Sequence, residues 1–172
     1  MKKITTLFIL LSSLFINSAL AQNKNCTFNE DFSDFDFWVG AWDVFDTAGN
    51  QVGTNSIEKL ENGCAIMESW TGASGSTGIS INYFNSVRNE WRQLWVSAGE
   101  YAIDIVGALN EGSMVLVGEL YNYGGNETYD FRGTWSSNED GSVRQFFEQY
   151  NKETEVWDAW FDGRYVPQTM NN

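Results

Sequence analysis

Glu68 lies between Ile66 and Trp70 on one face of a strand-like run, a carboxyl group set among apolar residues. Gln93 occupies the same position between Trp91 and Trp95. Arg132 shares a face with Thr134, and Arg144 shares one with Glu148 across Phe146. A few fixed donors and acceptors between aromatic walls are the usual make-up of a site that orients a small molecule. If these side chains point into a cavity, they furnish such a site. The opposite parity puts them on the solvent face, where charges on antiparallel strands commonly go. One bulge exchanges the two faces, so both placements stand open at this level.

The same residues say less about catalysis. Glu68, Glu148, Asp158 and Asp162 could supply a carboxylate pair for glycoside chemistry, but that chemistry is defined by a separation that a sequence does not carry. We assign no catalytic residue. The chain of 172 residues contains no histidine, which removes His-based triads, histidine-ligated haem and every His-containing zinc site. Two cysteines are too few for an all-cysteine zinc site. Asn138-Glu139-Asp140-Gly141 is rich in oxygen but lacks the distal carboxylate of a calcium loop. Gly72 to Gly78 is glycine-rich, yet it has no lysine and no following helix, both of which a phosphate loop requires. No metal and no cofactor are expected. The net charge of −13 leaves no basic footprint for nucleic acid.

The N-terminus reads as an address for export. Met1-Lys2-Lys3 is a positive start, Leu7 to Ile16 an apolar stretch, and Ala19-Leu20-Ala21 a small-x-small cleavage pattern. Residues 1–21 are thus expected to be a signal peptide. Its loss removes two lysines and takes the charge from −13 to −15. The apolar run is too short to span a bilayer, and an anionic membrane surface would repel the mature chain. The expectation is a soluble exported protein, periplasmic or extracellular. In that compartment Cys26 and Cys64 read as a disulfide, two free thiols being the alternative. The bridge would staple an N-terminal arm to the body. The signal is bacterial in style, so the sequons at Asn25 and Asn126 are read as chance matches.

The elements that must position these residues are strands. After an arm over 22–36 with one or two helical turns, apolar–polar alternation recurs to the end of the chain. The runs are 37–46, 52–60, 64–71, 77–84, 91–97, 101–108, 113–121, 128–136, 142–150 and 156–166. Turn signals separate them, among them Asn62-Gly63, Asn110-Glu111-Gly112 and Asp140-Gly141. About ten strands with short connections make an antiparallel meander, and closure removes its exposed edges. The expected fold is all-β, a closed antiparallel up-and-down barrel spanning 37–166, with a short tail over 167–172. A sandwich would need a longer crossing connection than any present.

Gly40-Ala41-Trp42 on the first strand and Phe161-Asp162-Gly163-Arg164-Tyr165-Val166 on the last resemble the calycin pattern of lipocalins and their relatives. There a first-strand tryptophan is covered by a basic side chain from the closing strand. The resemblance implies a lipocalin-like barrel closed by Trp42 and Arg164. Gly133-Thr134-Trp135 repeats the Gly-x-Trp pattern in the eighth strand.

From Phe35-Asp36-Phe37-Trp38 through Asn62-Gly63-Cys64, Trp70-Thr71-Gly72 and Trp91-Arg92-Gln93-Leu94-Trp95-Val96 to the Phe-Asp-Gly-Arg-Tyr close, the chain also resembles a family of small secreted bacterial barrels without assigned chemistry. Gly141-Ser142-Val143-Arg144-Gln145 belongs to the same signature. A more distant likeness is to nitrobindin-type barrels. Those hold haem through a histidine, so haem does not carry over. The leading functional expectation is a barrel that binds a small, partly apolar molecule. The alternatives are a carbohydrate-binding module that uses exposed tryptophans such as Trp160, and a structural or inhibitory barrel that binds another protein.

Overall fold

In a computed structural model, which describes residues 26–169, the chain forms ten strands and four short 3-10 turns. The expected signal segment and Asn25 lie outside the described residues. The first five strands are β1 (Gly40–Phe45), β2 (Gln51–Leu60), β3 (Ala65–Gly72), β4 (Thr77–Asn85) and β5 (Glu90–Ser97). The others are β6 (Tyr101–Asn110), β7 (Ser113–Asn122), β8 (Glu127–Ser137), β9 (Val143–Asn151) and β10 (Val156–Pro167). Every strand pairs antiparallel with its neighbour in the chain, and β10 returns to β1 to close the barrel. The fold is therefore the closed up-and-down barrel that the alternation implied. Among the described residues, no helix is long and apolar enough to cross a membrane.

The tight turns place asparagine, glutamate and glycine where the backbone needs positive φ. Asn62 (φ 56°) and Gly63 (φ 90°) reverse the chain between β2 and β3, and Glu111 (φ 49°) and Gly112 (φ 83°) do so between β6 and β7. Glycine meets that requirement without steric cost, which keeps these hairpins short.

The first strand begins later than the alternation suggests, because Asp36–Trp38 forms a 3-10 turn that precedes it. That turn drops an aromatic plug into one end of the barrel. Phe35 and Trp38 are fully buried, with their rings stacked at 4.9 Å. Phe35 meets Trp91 and Trp135 edge-on, and Phe32 meets Phe84 in the same way. Barrel tryptophans also hold the arm by its backbone. The Trp91 indole donates to the Asp31 carbonyl at 3.1 Å, and the Trp42 indole donates to the Trp38 carbonyl at 2.9 Å.

Two tethers fasten the arm from outside. Lys59 on β2 donates to Asp36 at 2.7 Å. Cys26 and Cys64 form the disulfide, with Cα atoms 5.0 Å apart. The plug and the bridge therefore act on the same end of the barrel, where the β2–β3 turn lies.

The geometry corrects one expectation. Arg164 does not cover Trp42. On β1 the cross-strand partner of Arg164 is Phe45, whereas Trp42 pairs with Pro167. Trp42 and Val44 face the core, so Phe45 and Arg164 face outward. Arg164 instead donates to Asp140 in the β8–β9 connection at 2.5 Å. Trp42 is covered from β10 by Tyr165, whose ring meets it edge-on at 6.2 Å. Asp140 also accepts from the Ser142 hydroxyl and backbone N–H, and these bonds with the arginine hold its carboxyl down at about 2. The oxygen-rich turn thus spends its carboxylate on its own hairpin.

Closing a loop of this length by a disulfide constrains the unfolded chain by about 3–4 kcal/mol in the chain-entropy model. Replacing both Cys26 and Cys64 by serine should lower Tm by roughly 10 °C, given about 2–4 °C per kcal/mol for a domain of this size. Differential scanning calorimetry of the double variant and the oxidised parent checks this.

Candidate functional site

The plug occupies one end of the barrel, and the opposite end holds a cavity of about 230 Å3. Its walls are aromatic: Trp70 from β3, Trp95 from β5, Phe147 from β9, and Trp160 and Phe161 from β10. Tyr101, Ile103, Gln145 and Tyr165 complete the lining, and Glu68 stands among them.

Glycines set the two indoles in place. A Cβ on Gly53 would stand 2.5 Å from the Trp70 ring, and one on Gly78 would stand 2.2 Å from the Trp95 ring. Each ring therefore lies over a neighbouring strand that carries no side chain at that position, an arrangement that also shields the glycine backbone. Trp160 and Phe161 are adjacent in sequence, yet both line the cavity. A bulge makes this possible: Ala159 pairs with Glu148 and Phe161 with Phe147, which leaves Trp160 as an extra residue.

Glu68 is the most unusual group in the site. It is 3% exposed, and both carboxyl oxygens accept hydrogen bonds, from Asn55 Nδ2 at 2.7 Å and Ser80 Oγ at 2.6 Å. Burial pushes its pKa up to about 7, against the lowering pull of the Ser80 and Asn55 bonds. Desolvation penalises the charged form, and here it outweighs the two hydrogen bonds that favour that form.

Behind Glu68 runs a buried polar ladder. Asn82 donates to Ser80 Oγ at 2.8 Å, and Gln93 donates to Asn82 Oδ1 at 2.9 Å. On the other side Asn55 also reaches the Tyr165 hydroxyl at 3.3 Å. Burial, and then the nearby Glu68 charge, raise the Tyr165 phenol well above its ordinary range. Tyr101 is raised by burial too. The Trp95 indole lies near enough to offset that rise in part without completing a hydrogen bond.

Two polar atoms of the lining have no partner. Trp95 Nε1 is a buried donor without an acceptor, and Gln145 Oε1 is a buried acceptor without a donor. Leaving such groups unmade costs about 1–3 kcal/mol each, so they are notable where they border a cavity.

The structure brings together Glu68, Trp70 and Trp95 from the residues singled out in the sequence. Gln93 is buried on the same side but sits in the ladder behind Glu68, away from the cavity lining. Arg132, Thr134, Arg144 and Glu148 lie on the outer face. Their strand neighbours Phe131, Gly133, Trp135, Gln145 and Phe147 take the inward positions. On the outside, Arg132 and Glu148 are cross-strand partners joined at 2.7 Å, and the Arg132 guanidinium covers the Trp157 ring at 4.5 Å. Arg144 pairs with Asp162 in a two-pronged bond. Gln145, Tyr101, Phe161 and Tyr165 were not singled out. Ser142-Val143-Arg144-Gln145 alternates plainly enough to mark Gln145 as the opposite face to Arg144, which was the available signal.

Among the described residues, no group of three or more Cys, Asp or Glu side chains is placed to hold a metal ion. No protein-family model matches the chain, and no curated protein matches it.

Because the native fold binds the Glu68 proton more tightly than the unfolded chain does, its contribution to stability is full below its ordinary value of 4.5 and is lost as pH rises through about 7. The loss from this one carboxyl is roughly 3 kcal/mol. Urea unfolding at pH 5 and pH 8 should show this fall in the parent protein. Glu68→Gln should lack it and be the more stable of the two at pH 8. Parallel pH curves for the two proteins would count against a protonated Glu68.

Proposed function

We propose that this protein binds a small, partly apolar molecule in the open end of its barrel, between Trp70, Trp95 and Trp160. The observation that carries the reading is the combination of an aromatic cavity with two buried polar atoms, Trp95 Nε1 and Gln145 Oε1, that the protein leaves without partners. A ligand that supplies an acceptor to the first and a donor to the second completes both, while its apolar part rests on the rings. Phe32, Phe35 and Trp38 of the arm fill the far end of the barrel and leave this end open, which supports such a role.

The proposal includes export. The expected signal segment and the Cys26–Cys64 bridge both fit an oxidising compartment, and the ten-strand closure fits a lipocalin-like, secreted bacterial barrel. A glycan-stacking module draws less support. Trp160 is the exposed tryptophan, at 41%, but it packs edge-on against Tyr101 and Phe131. Trp157 is already covered by Arg132.

Protein purified without unfolding should yield a small organic molecule on denaturing extraction, detected by mass spectrometry. The emptied barrel should bind the neutral apolar dye Nile red saturably, and Trp70→Leu should weaken that binding by about tenfold, as for the loss of one aromatic anchor. No extracted molecule together with no saturable dye binding would overturn the reading.

A further inference from the structure

The cavity differs from a general apolar pocket in the sign of what it offers. Aromatic rings bound it on several sides: Trp70, Trp95, Tyr101, Trp160 and Phe161. The face of an aromatic ring attracts a cation through its quadrupole, most strongly when water is excluded. The one ionisable acid on the wall is Glu68, and no lysine or arginine is among the lining residues. The chain as a whole carries −13, which raises the local concentration of cations and lowers that of anions. An anionic ligand would meet a buried carboxyl with no counter-charge. A neutral donor would gain a hydrogen bond from Glu68, whereas a cationic donor gains the bond and the charge attraction together.

Resting on the reading above, we infer that the ligand is a small organic ammonium ion that carries a hydroxyl or similar oxygen. The ammonium group sits between the rings beside Glu68, and the oxygen function meets Trp95 Nε1 and Gln145 Oε1. Glu68 has both carboxyl oxygens bonded, one to Asn55 and one to Ser80, so the carboxylate is held in place without a bound cation. Each oxygen retains a further lone pair for the ligand.

The groups facing Glu68 are otherwise uncharged. They are Asn55 from β2, Ser80 from β4, Tyr101 from β6, Gln145 from β9 and Tyr165 from β10. Both phenols are held in their neutral forms by the upward shifts described above. Near neutral pH the one group of this set that titrates is therefore Glu68 itself. A bound cation favours its ionised form, so binding releases a proton wherever Glu68 is protonated in the free protein.

The test uses two matched pairs of probes, choline against 3,3-dimethylbutan-1-ol and butylammonium against butan-1-ol, titrated by tryptophan fluorescence and calorimetry. At pH 8 at least one cation should bind about tenfold or more tightly than its neutral partner. Its apparent affinity should fall as pH drops below about 7, approaching tenfold per pH unit. Glu68→Gln, checked for native circular dichroism, should remove most of the preference and all of the pH dependence. Trp160→Leu, at the rim, should weaken the cation more than the alcohol.

Equal or tighter binding of both alcohols at pH 8 would overturn the inference, as would failure of all four probes while Nile red still binds. In both cases the binding proposal itself stands. Failure of the four probes and of Nile red, with nothing extracted, ends both.

Discussion

Ten strands enclose more space than their own inward side chains fill at protein density, and the rest of the structure depends on how that surplus is met. Protein interiors are packed like organic crystals, so an unfilled barrel of this width is a standing cost. Here the filling comes from outside the sheet. Phe32, Phe35 and Trp38 on the N-terminal arm enter one end and pack against Phe84, Trp91 and Trp135, mostly edge-on. The disulfide and the Lys59–Asp36 pair hold the arm where it can do this. Density is thus concentrated at one end, and the other end is free to be a cavity.

The division of labour extends to polar groups. At the plugged end, carbonyls of the arm accept from the Trp42 and Trp91 indoles, while the Trp38 and Trp135 indoles in the same cluster have no partner. Toward the open end, polar side chains point inward from β2, β3, β4 and β5 and form a continuous ladder, Gln93 to Asn82 to Ser80 to Glu68 to Asn55. The chain is connected from end to end, although Asn55 Oδ1 has no partner, and it fixes the orientation of the carboxyl within it. Glu68 is the member that faces the cavity. The ladder therefore presents one acid in a defined pose against aromatic walls, at the cost of keeping it near neutrality.

Much of this was legible in the sequence, and the gaps have physical causes. Alternation and turn residues located all ten strands to within a few residues, because each hairpin carries its own local signal. The disulfide followed from compartment and count. Which face is inward was not legible. Arg132, Arg144 and Glu148 have the same alternating context as Glu68, but β8 and β9 turn them outward, where Arg132 and Glu148 pair across the strands. Burial of Glu68 in the barrel and the outward turn of Arg132 and Glu148 depend on the parity with which each strand enters the barrel, which alternation alone does not carry. The bulge at Trp160 is equally silent: it puts two successive residues on one side and breaks the parity on which face assignment rests. The Arg164–Trp42 contact failed on register, since closure sets Phe45 rather than Trp42 opposite Arg164.

The proposed function turns on whether the end of the barrel opposite the plug is a chamber kept open for a ligand or a gap that closes in solution. The most direct measurement is a high-resolution crystal structure of protein isolated without unfolding, with attention to the density between Trp70, Trp95 and Trp160. The account predicts an organic molecule there, with polar atoms within hydrogen-bonding distance of Trp95 Nε1 and Gln145 Oε1. Trp160 and Phe161 swung inward to fill the space, with Trp95 Nε1 and Gln145 Oε1 bonded to the protein itself, would contradict it.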